Sequence, residues 1–341
     1  MVRMIEFDKV NIVFGDAPEE ALPLMDEGQS REDIQTSTGQ ILGVHDASLS
    51  VEEGEIVVLM GLSGSGKSTL LRAVNGLNPV TRGTMNVYDG SAMLDVGQAS
   101  PRDIRDLRRT RVSMVFQKFG LLPWRSVIDN VALGLELAGM PEAERLERAR
   151  AELEVVNLAD WADNQVSELS GGMQQRVGLA RAFATDAPIL LMDEPFSALD
   201  PLIRAKLQDD LLTLQERTRR TILFVSHDLE EAMKIGNRIA IMEGGRIVQI
   251  GTPEQIVLEP ADDYVADFVA NINPLPVLTA RDCVSETQAP DGCASVDASA
   301  RITDLSDLLA HSARVAVTEN GQTIGSLSAS DVLTRLVNRD S

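Results

Sequence analysis

The chain has 341 residues, enough for about two domains and a sizeable buried core. Hydrophobic residues make up 44% and charged residues 24%, the balance of an ordinary globular protein. Acids outnumber bases by 52 to 31, a net charge of −21, and no basic stripe interrupts them, which argues against nucleic acid as a partner. Two cysteines, Cys283 and Cys293, are too few for a disulfide framework and suit a reducing cytosol. No apolar run approaches the ~18 residues that cross a bilayer, and the best, Ile56–Leu62, has strand length. Charges at Arg3, Glu6, Asp8 and Lys9 leave the N-terminus without the apolar stretch of a signal peptide. Any membrane role is therefore expected to come through partners.

From residue 1 to 272, short apolar runs alternate with amphipathic helical patterns, which predicts an α/β domain. An insertion at about 16–42 holds seven acids against one base, Arg31, with a short helix predicted at Pro18–Glu27. It reads as a solvated surface helix-loop. Buried strands are predicted at Glu55–Met60, Val112–Gln117, Ile189–Asp193, Thr221–Ser226 and Arg238–Met242. Helices are predicted at Lys67–Asn75, Met173–Thr185, Pro201–Arg219 and Asp228–Ile235. The Asn- and Pro-rich run from Asn271 to Pro276 predicts a linker. Beyond it, Arg314–Thr318, a turn at Glu319-Asn320-Gly321, Thr323–Leu327 and Ser330–Val337 read as strand, turn, strand and helix, Asn-Gly being a strong hairpin signal.

Residues 61–69, GLSGSGKST, follow the apolar run IVVLM and open a predicted helix at Lys67. Strand, glycine-rich loop and helix in that order make a phosphate-binding P-loop. Gly61, Gly64 and Gly66 let backbone N–H groups of the loop, including those of Ser63 and Ser65, converge on phosphate oxygens. The helix N-terminus adds partial positive charge. Lys67 is placed to bridge β- and γ-phosphates, Ser68 to hold Mg²⁺ through its hydroxyl, and Thr69 to contact the α-phosphate. Downstream, ILLMDE at 189–194 puts Asp193 and Glu194 at the carboxyl end of a buried strand, where ligands of parallel sheets bind. Asp193 is expected to orient Mg²⁺ and Glu194 to polarise the attacking water.

LSGGMQQR at 169–176 stands immediately before a helical pattern and 13 residues ahead of ILLMDE. It resembles the signature motif of ATP-binding cassette (ABC) ATPases. The family's other elements follow in order: VFQ at 115–117 resembles the Q-loop, SALD at 197–200 the D-loop and SHD at 226–228 the switch histidine. The resemblance covers about residues 4–270. It implies a P-loop NTPase fold with a helical subdomain at about 118–175, and ATP hydrolysis with ATP and Mg²⁺ as cofactors. Gln117 then binds Mg²⁺ and the lytic water, His227 contacts the γ-phosphate, and Asp200 lies at a dimer interface. Ser170, Gly171 and Gly172 offer a hydroxyl and N–H groups at a helix N-terminus, a second anion site. In the family, this site meets the P-loop across a head-to-tail dimer, so a homodimer is expected. Phe14, where the family commonly has Tyr or Trp, is the expected adenine platform. Met173 replaces the consensus Gln of the signature.

The resemblance further implies an integral membrane permease docked on the helical subdomain, with Phe119, Leu121, Leu122, Pro123 and Trp124 offering an apolar groove, and indirectly a solute-binding protein. The chain would be peripheral on the cytoplasmic face of the plasma membrane. The acidic insertion and the run GVHDASLSVEEGEIVVLMGLSGSGKSTLLRAVNGL are similar to ATPases that import quaternary ammonium solutes such as glycine betaine and choline. An importer of an amino acid or sulfonate, and a soluble ABC ATPase outside transport, are the alternatives. VAVTENGQTIGSLSASDVLTRL resembles half of a CBS repeat, which makes residues 273–341 a linker and a single CBS-like module.

Overall fold

A computed structural model of the chain describes residues 2–117, 120–270, 272–290 and 292–337. Phe119 of the expected groove and Asn271 of the expected linker lie outside the described residues. In chain order the elements are β1 (Arg3–Phe14), α1 (Ala21–Asp26), α2 (Arg31–Thr38), β2 (Ile41–Glu52), β3 (Ile56–Met60), α3 (Lys67–Ala73), β4 (Arg82–Tyr88), β5 (Met93–Asp95) and α4 (Pro101–Thr110). There follow β6 (Val112–Val115), α5 (Val127–Leu137), α6 (Glu142–Val155), α7 (Gly171–Ala184), β7 (Ile189–Asp193), α8 (Pro201–Thr218), β8 (Thr221–Val225), α9 (Leu229–Ile235), β9 (Arg238–Glu243) and β10 (Arg246–Gly251). The remaining elements are α10 (Pro253–Leu258), α11 (Asp263–Val269), β11 (Ser295–Asp297), α12 (Ser306–His311), β12 (Val315–Glu319), β13 (Gln322–Leu327) and α13 (Ala329–Val337).

Two compact units result, Met1–Asp228 with Ile235–Ile250, and Leu229–Lys234 with Gly251–Ser341. In the first, a six-stranded sheet runs β10-β9-β3-β8-β7-β6, and β9, β3, β8, β7 and β6 pair in parallel. Every residue of β3, β7 and β8 is buried, as strands covered on both faces require. Apart from Asp193 and Thr221, these are the apolar runs that predict strands from sequence. A second, four-stranded antiparallel sheet, β2-β1-β4-β5, is not among the predicted strands. Its long strands β1 and β2 are bulged and carry polar residues among apolar ones, so neither a clean alternation nor a continuous apolar run marks them. Ile5, Phe7 and Val87 of this sheet share one core with Val57, Leu59 and Leu191 of the parallel sheet and with Leu70 and Leu71 of α3. Burying these side chains is the main source of stability here.

The insertion joins two paired strand ends, Phe14 of β1 opposite Ile41 of β2. It is folded, not a solvated loop. A 3₁₀ turn at Pro18–Glu20 leads into α1, and Ser30 caps α2 by accepting from the Asp33 N–H. Val13, Ala21, Met25, Ile34 and Leu42 form its own small core, and Arg82 clasps Asp26 through two 2.8 Å hydrogen bonds. Sequence missed α2 because Ile34 is its one buried residue. In the helical segment, α5, α6 and α7 pack on each other, and Val131, Leu135, Leu153 and Leu179 on them are buried.

In the second unit, β11 pairs in parallel and β13 antiparallel with β12. Asn320 and Gly321 both take positive φ, 50° and 78°, which gives the hairpin the turn its sequence predicts. Leu278, Ile302, Val315, Val317 and Leu327 form its core, and Leu258 of α10 packs against it. That contact places α10 with the second unit, although the sequence reading carries the first domain to 272. Among the described residues, no helix is long and apolar enough to cross a membrane.

Candidate functional site

The carboxyl ends of four parallel strands converge. β3 leads into the glycine-rich loop, β6 into Gln117, β7 ends at Asp193 with Glu194 next, and β8 leads into Ser226 and His227. A cavity of about 700 Å³ opens there, lined by Phe14, Ser63, Gly64, Gly66, Lys67, Ser68, Thr69, Gln117, Glu194 and His227 among others. Ten residues singled out from sequence are thus brought to one space.

The loop owes its shape to its glycines. A Cβ on Gly61, at φ 137°, would meet the Met242 carbonyl oxygen at 2.1 Å, and one on Gly66, at φ 101°, would meet that of Gly43 at 2.6 Å. Only glycine fits such contacts in that backbone region. Gly61 and Ser65 stand behind the loop rather than on the cavity wall, Ser65 being buried. The Lys67 ammonium curls back, donating to the Gly61 and Leu62 carbonyls at 2.7 and 2.8 Å. Burial pulls its pKa below the ordinary lysine value, while the Glu194 and Asp193 carboxylates oppose that shift.

Beneath the loop, Ser68 donates its hydroxyl to Asp193 Oδ1 at 2.6 Å. Arg72, one turn further along α3, donates to Oδ2 through Nη2 at 2.7 Å and Nε at 3.2 Å. Asp193 is fully buried, so this pairing is what makes its charge tolerable. Glu194 takes φ 50°, uncommon for a residue with a side chain. Its Oε2 accepts from Gln117 Nε2 at 3.1 Å and lies 3.4 Å from His227 Nδ1. A carboxylate, an amide and an imidazole thus face one point beside the P-loop. That arrangement can hold and polarise a water molecule.

Phe14 lines the same cavity, against Gly43, whose added Cβ would lie 2.8 Å from the ring. A flat apolar face there suits a stacked base. Ser170, Gly171 and Gly172 do not line this cavity. They form the start of α7, with Ser170 accepting from the Met173 N–H at 3.3 Å and Gly171 exposed. Asp200 caps α8 by accepting from the Ile203 N–H at 3.0 Å. The oxygen donors around Ser68, Gln117 and Asp193 fit Mg²⁺, which prefers hard oxygen ligands and keeps several waters. No clustered trio of His, Cys, Asp or Glu among the described residues offers a metal another place.

Four further residues belong here that sequence reasoning did not single out for the site. Arg72 lies four residues after Ser68, hence on the same helix face, a spacing that could have found it. Gln175 is buried and ties α7 to the loop after β7, donating to the Glu194 carbonyl at 3.2 Å and accepting from the Ala198 N–H at 3.0 Å. No local pattern announces it. Arg31 and Gln35 reach the cavity from the insertion.

Residues 44–197 match the protein family described as ABC transporter. The chain is 49% identical, over 86% of its length and 72% of the relative's, to the glycine betaine/proline betaine transport system ATP-binding protein ProV of Escherichia coli. It is 44% identical, over 94% of its length and 93% of the relative's, to the trimethylamine N-oxide transport system ATP-binding protein TmoW of Ruegeria pomeroyi. Among solved structures, a dimeric ATP-binding cassette in a post-hydrolysis state, bound to ADP and Pi, superposes with a TM-score of 0.63. That likeness holds at 30% identity and covers 73% of this chain and 99% of the other.

Proposed function

Because the chain belongs to the ATP-binding subunits of ABC transporters, we propose that it hydrolyses ATP to power uptake of a small methylated-nitrogen solute through a separate membrane permease. The solute class is glycine betaine, choline or trimethylamine N-oxide, which share a compact, N-methylated head. Its support is the identity to transport ATPases named for glycine betaine and for trimethylamine N-oxide. The observation that carries the hydrolytic reading is Glu194, with Gln117 and His227 on its carboxylate, facing the P-loop across one cavity.

In this reading the P-loop N–H groups and Lys67 neutralise the phosphates, and Phe14 stacks on the base. Ser68, Gln117 and Asp193 would hold Mg²⁺, which would supply charge neutralisation at the phosphate oxygens. Arg72 keeps Asp193 oriented. Glu194 polarises the attacking water, and His227 holds it in line with the γ-phosphate. The signature residues Ser170, Gly171 and Gly172 complete the site of a second copy in a head-to-tail homodimer. Their absence from this chain's own cavity supports that arrangement. Trp124, 73% exposed on a loop that Asn130 pins through four hydrogen bonds, supports permease docking there and a peripheral place on the cytoplasmic face of the membrane. The strand-turn-strand-helix order of β12, β13 and α13 supports a CBS-like module, whose net negative charge disfavours a nucleotide there.

Uptake of labelled glycine betaine, choline and trimethylamine N-oxide by cells lacking the gene, restored with the intact gene or with Glu194→Gln, tests the proposal. Loss of one solute on deletion, with rescue by the intact gene alone, is the expected result. Unchanged uptake of all three overturns the solute class.

A further inference from the structure

The insertion at 16–42 carries seven acids and one base, and that base faces the nucleotide cavity. Arg31 opens α2, and its guanidinium donates to the Gly64 carbonyl of the P-loop at 2.8 Å and to the Gly43 carbonyl at 2.7 Å. Glycines make the space it occupies, since a Cβ on Gly245 would come within 2.8 Å of Arg31 Nη2. Among the described residues no carboxylate pairs with it, although acids crowd its own segment. Its Nε–H is buried without a partner. A guanidinium has five N–H donors, so after two carbonyl contacts three remain. A cation placed on neutral carbonyls, desolvated and lacking a counter-ion, is poised for an anion from outside the chain. Its place is rigid: Ile34 buries the adjoining turn of α2 in the insertion's core, and Asp26 locks α1 to Arg82 of β4.

We propose that the insertion is a working wall of the nucleotide site and that Arg31 is a second phosphate-binding cation beside Lys67, acting on the polyphosphate of ATP and ADP. None of the insertion's seven acids lines the cavity, which leaves Arg31 as its one charged contribution to that wall. This rests on the reading of the cavity as an ATP site, and the control below separates the two.

The test is competition titration of the purified full chain with ATP, ADP and adenosine, in wild type, Arg31→Met, Arg31→Lys and Lys67→Ala. Arg31→Met keeps the length and removes the charge. It is expected to weaken ATP and ADP about tenfold and adenosine less than twofold, because the charge acts on phosphates. Arg31→Lys is expected to stay within about threefold of wild type, a rescue that a purely structural fork between two carbonyls would not give. ATP affinity unchanged in Arg31→Met, or ATP and adenosine weakened equally, overturns the proposal. Should Arg31→Met fail to fold, Arg31→Lys decides alone, since loss of ATP affinity there speaks for geometry rather than charge. Undiminished ATP binding by Lys67→Ala would instead bring down the ATP-site reading itself.

Discussion

Arg72→Ala should expose how much of this fold's stability is spent on holding one carboxylate. Asp193 ends a fully buried strand and is itself fully buried. Arg72 supplies two hydrogen bonds to one oxygen, and Ser68 supplies one to the other. Removing one partner of a buried pair costs about 3–5 kcal/mol, because the charge left behind stays out of water. Arg72 is itself 37% exposed, so water can follow into the vacated space. We therefore expect about 2–4 kcal/mol, toward the lower end of that range. At about 2–4 °C per kcal/mol, the nucleotide-free melting temperature falls by about 5–15 °C. Asp193→Asn removes the charge that Arg72 neutralises, so the double variant should fall short of additivity by about 1–2 kcal/mol. Thermal melts of the four proteins in one buffer measure the cycle. A cost below about 0.5 kcal/mol for Arg72→Ala, or strictly additive costs, refutes the reasoning.

Lys67→Ala should lose ATP affinity by at least about tenfold, measured by titration, because it removes the charge nearest the phosphates. Gly61→Ala forces a Cβ to within 2.1 Å of the Met242 carbonyl oxygen. It should destabilise by about 1–3 kcal/mol and abolish the ATP-induced rise in melting temperature; an unaltered rise would contradict the loop geometry. Burial pushes the Cys283 thiol up from 9.0 to about 11, with the Asp282 carboxylate adding to the shift. Its folded pKa is raised, so the stability it lends is full below pH 9 and drains away between 9 and about 11. At pH 8, iodoacetamide should label Cys293 well before Cys283, read by mass spectrometry of the peptides; equal labelling would place Cys283 at the surface.

What sequence discloses here follows the reach of each interaction. The strands β3, β7 and β8 are legible because burial on both faces makes them apolar throughout except at Asp193 and Thr221. The P-loop, Asp193, Glu194, Gln117 and His227 are legible because each lies at or just beyond the carboxyl end of a parallel strand and carries a short motif. The antiparallel sheet is not, because β1 and β2 take their register from bulges and from each other across 26 intervening residues, 15 to 40. The insertion's fold is not, because its small core draws Val13 and Leu42 from the flanking strands. Arg31 and Arg72 escape motif reading for a common reason. Their partners lie 12 to 121 residues away, and only the folded sheets bring them within hydrogen-bond distance.

We propose that Glu194 completes a hydrolytic site which closes between two copies of this chain. Sedimentation and phosphate release from the purified chain, wild type against Glu194→Gln with ATP and Mg²⁺, test it most directly. Glu194→Gln is expected to bind ATP, release essentially no phosphate and sediment as a dimer where the wild type turns over. Phosphate release at the wild-type rate, or a variant that stays monomeric with saturating ATP, would contradict it.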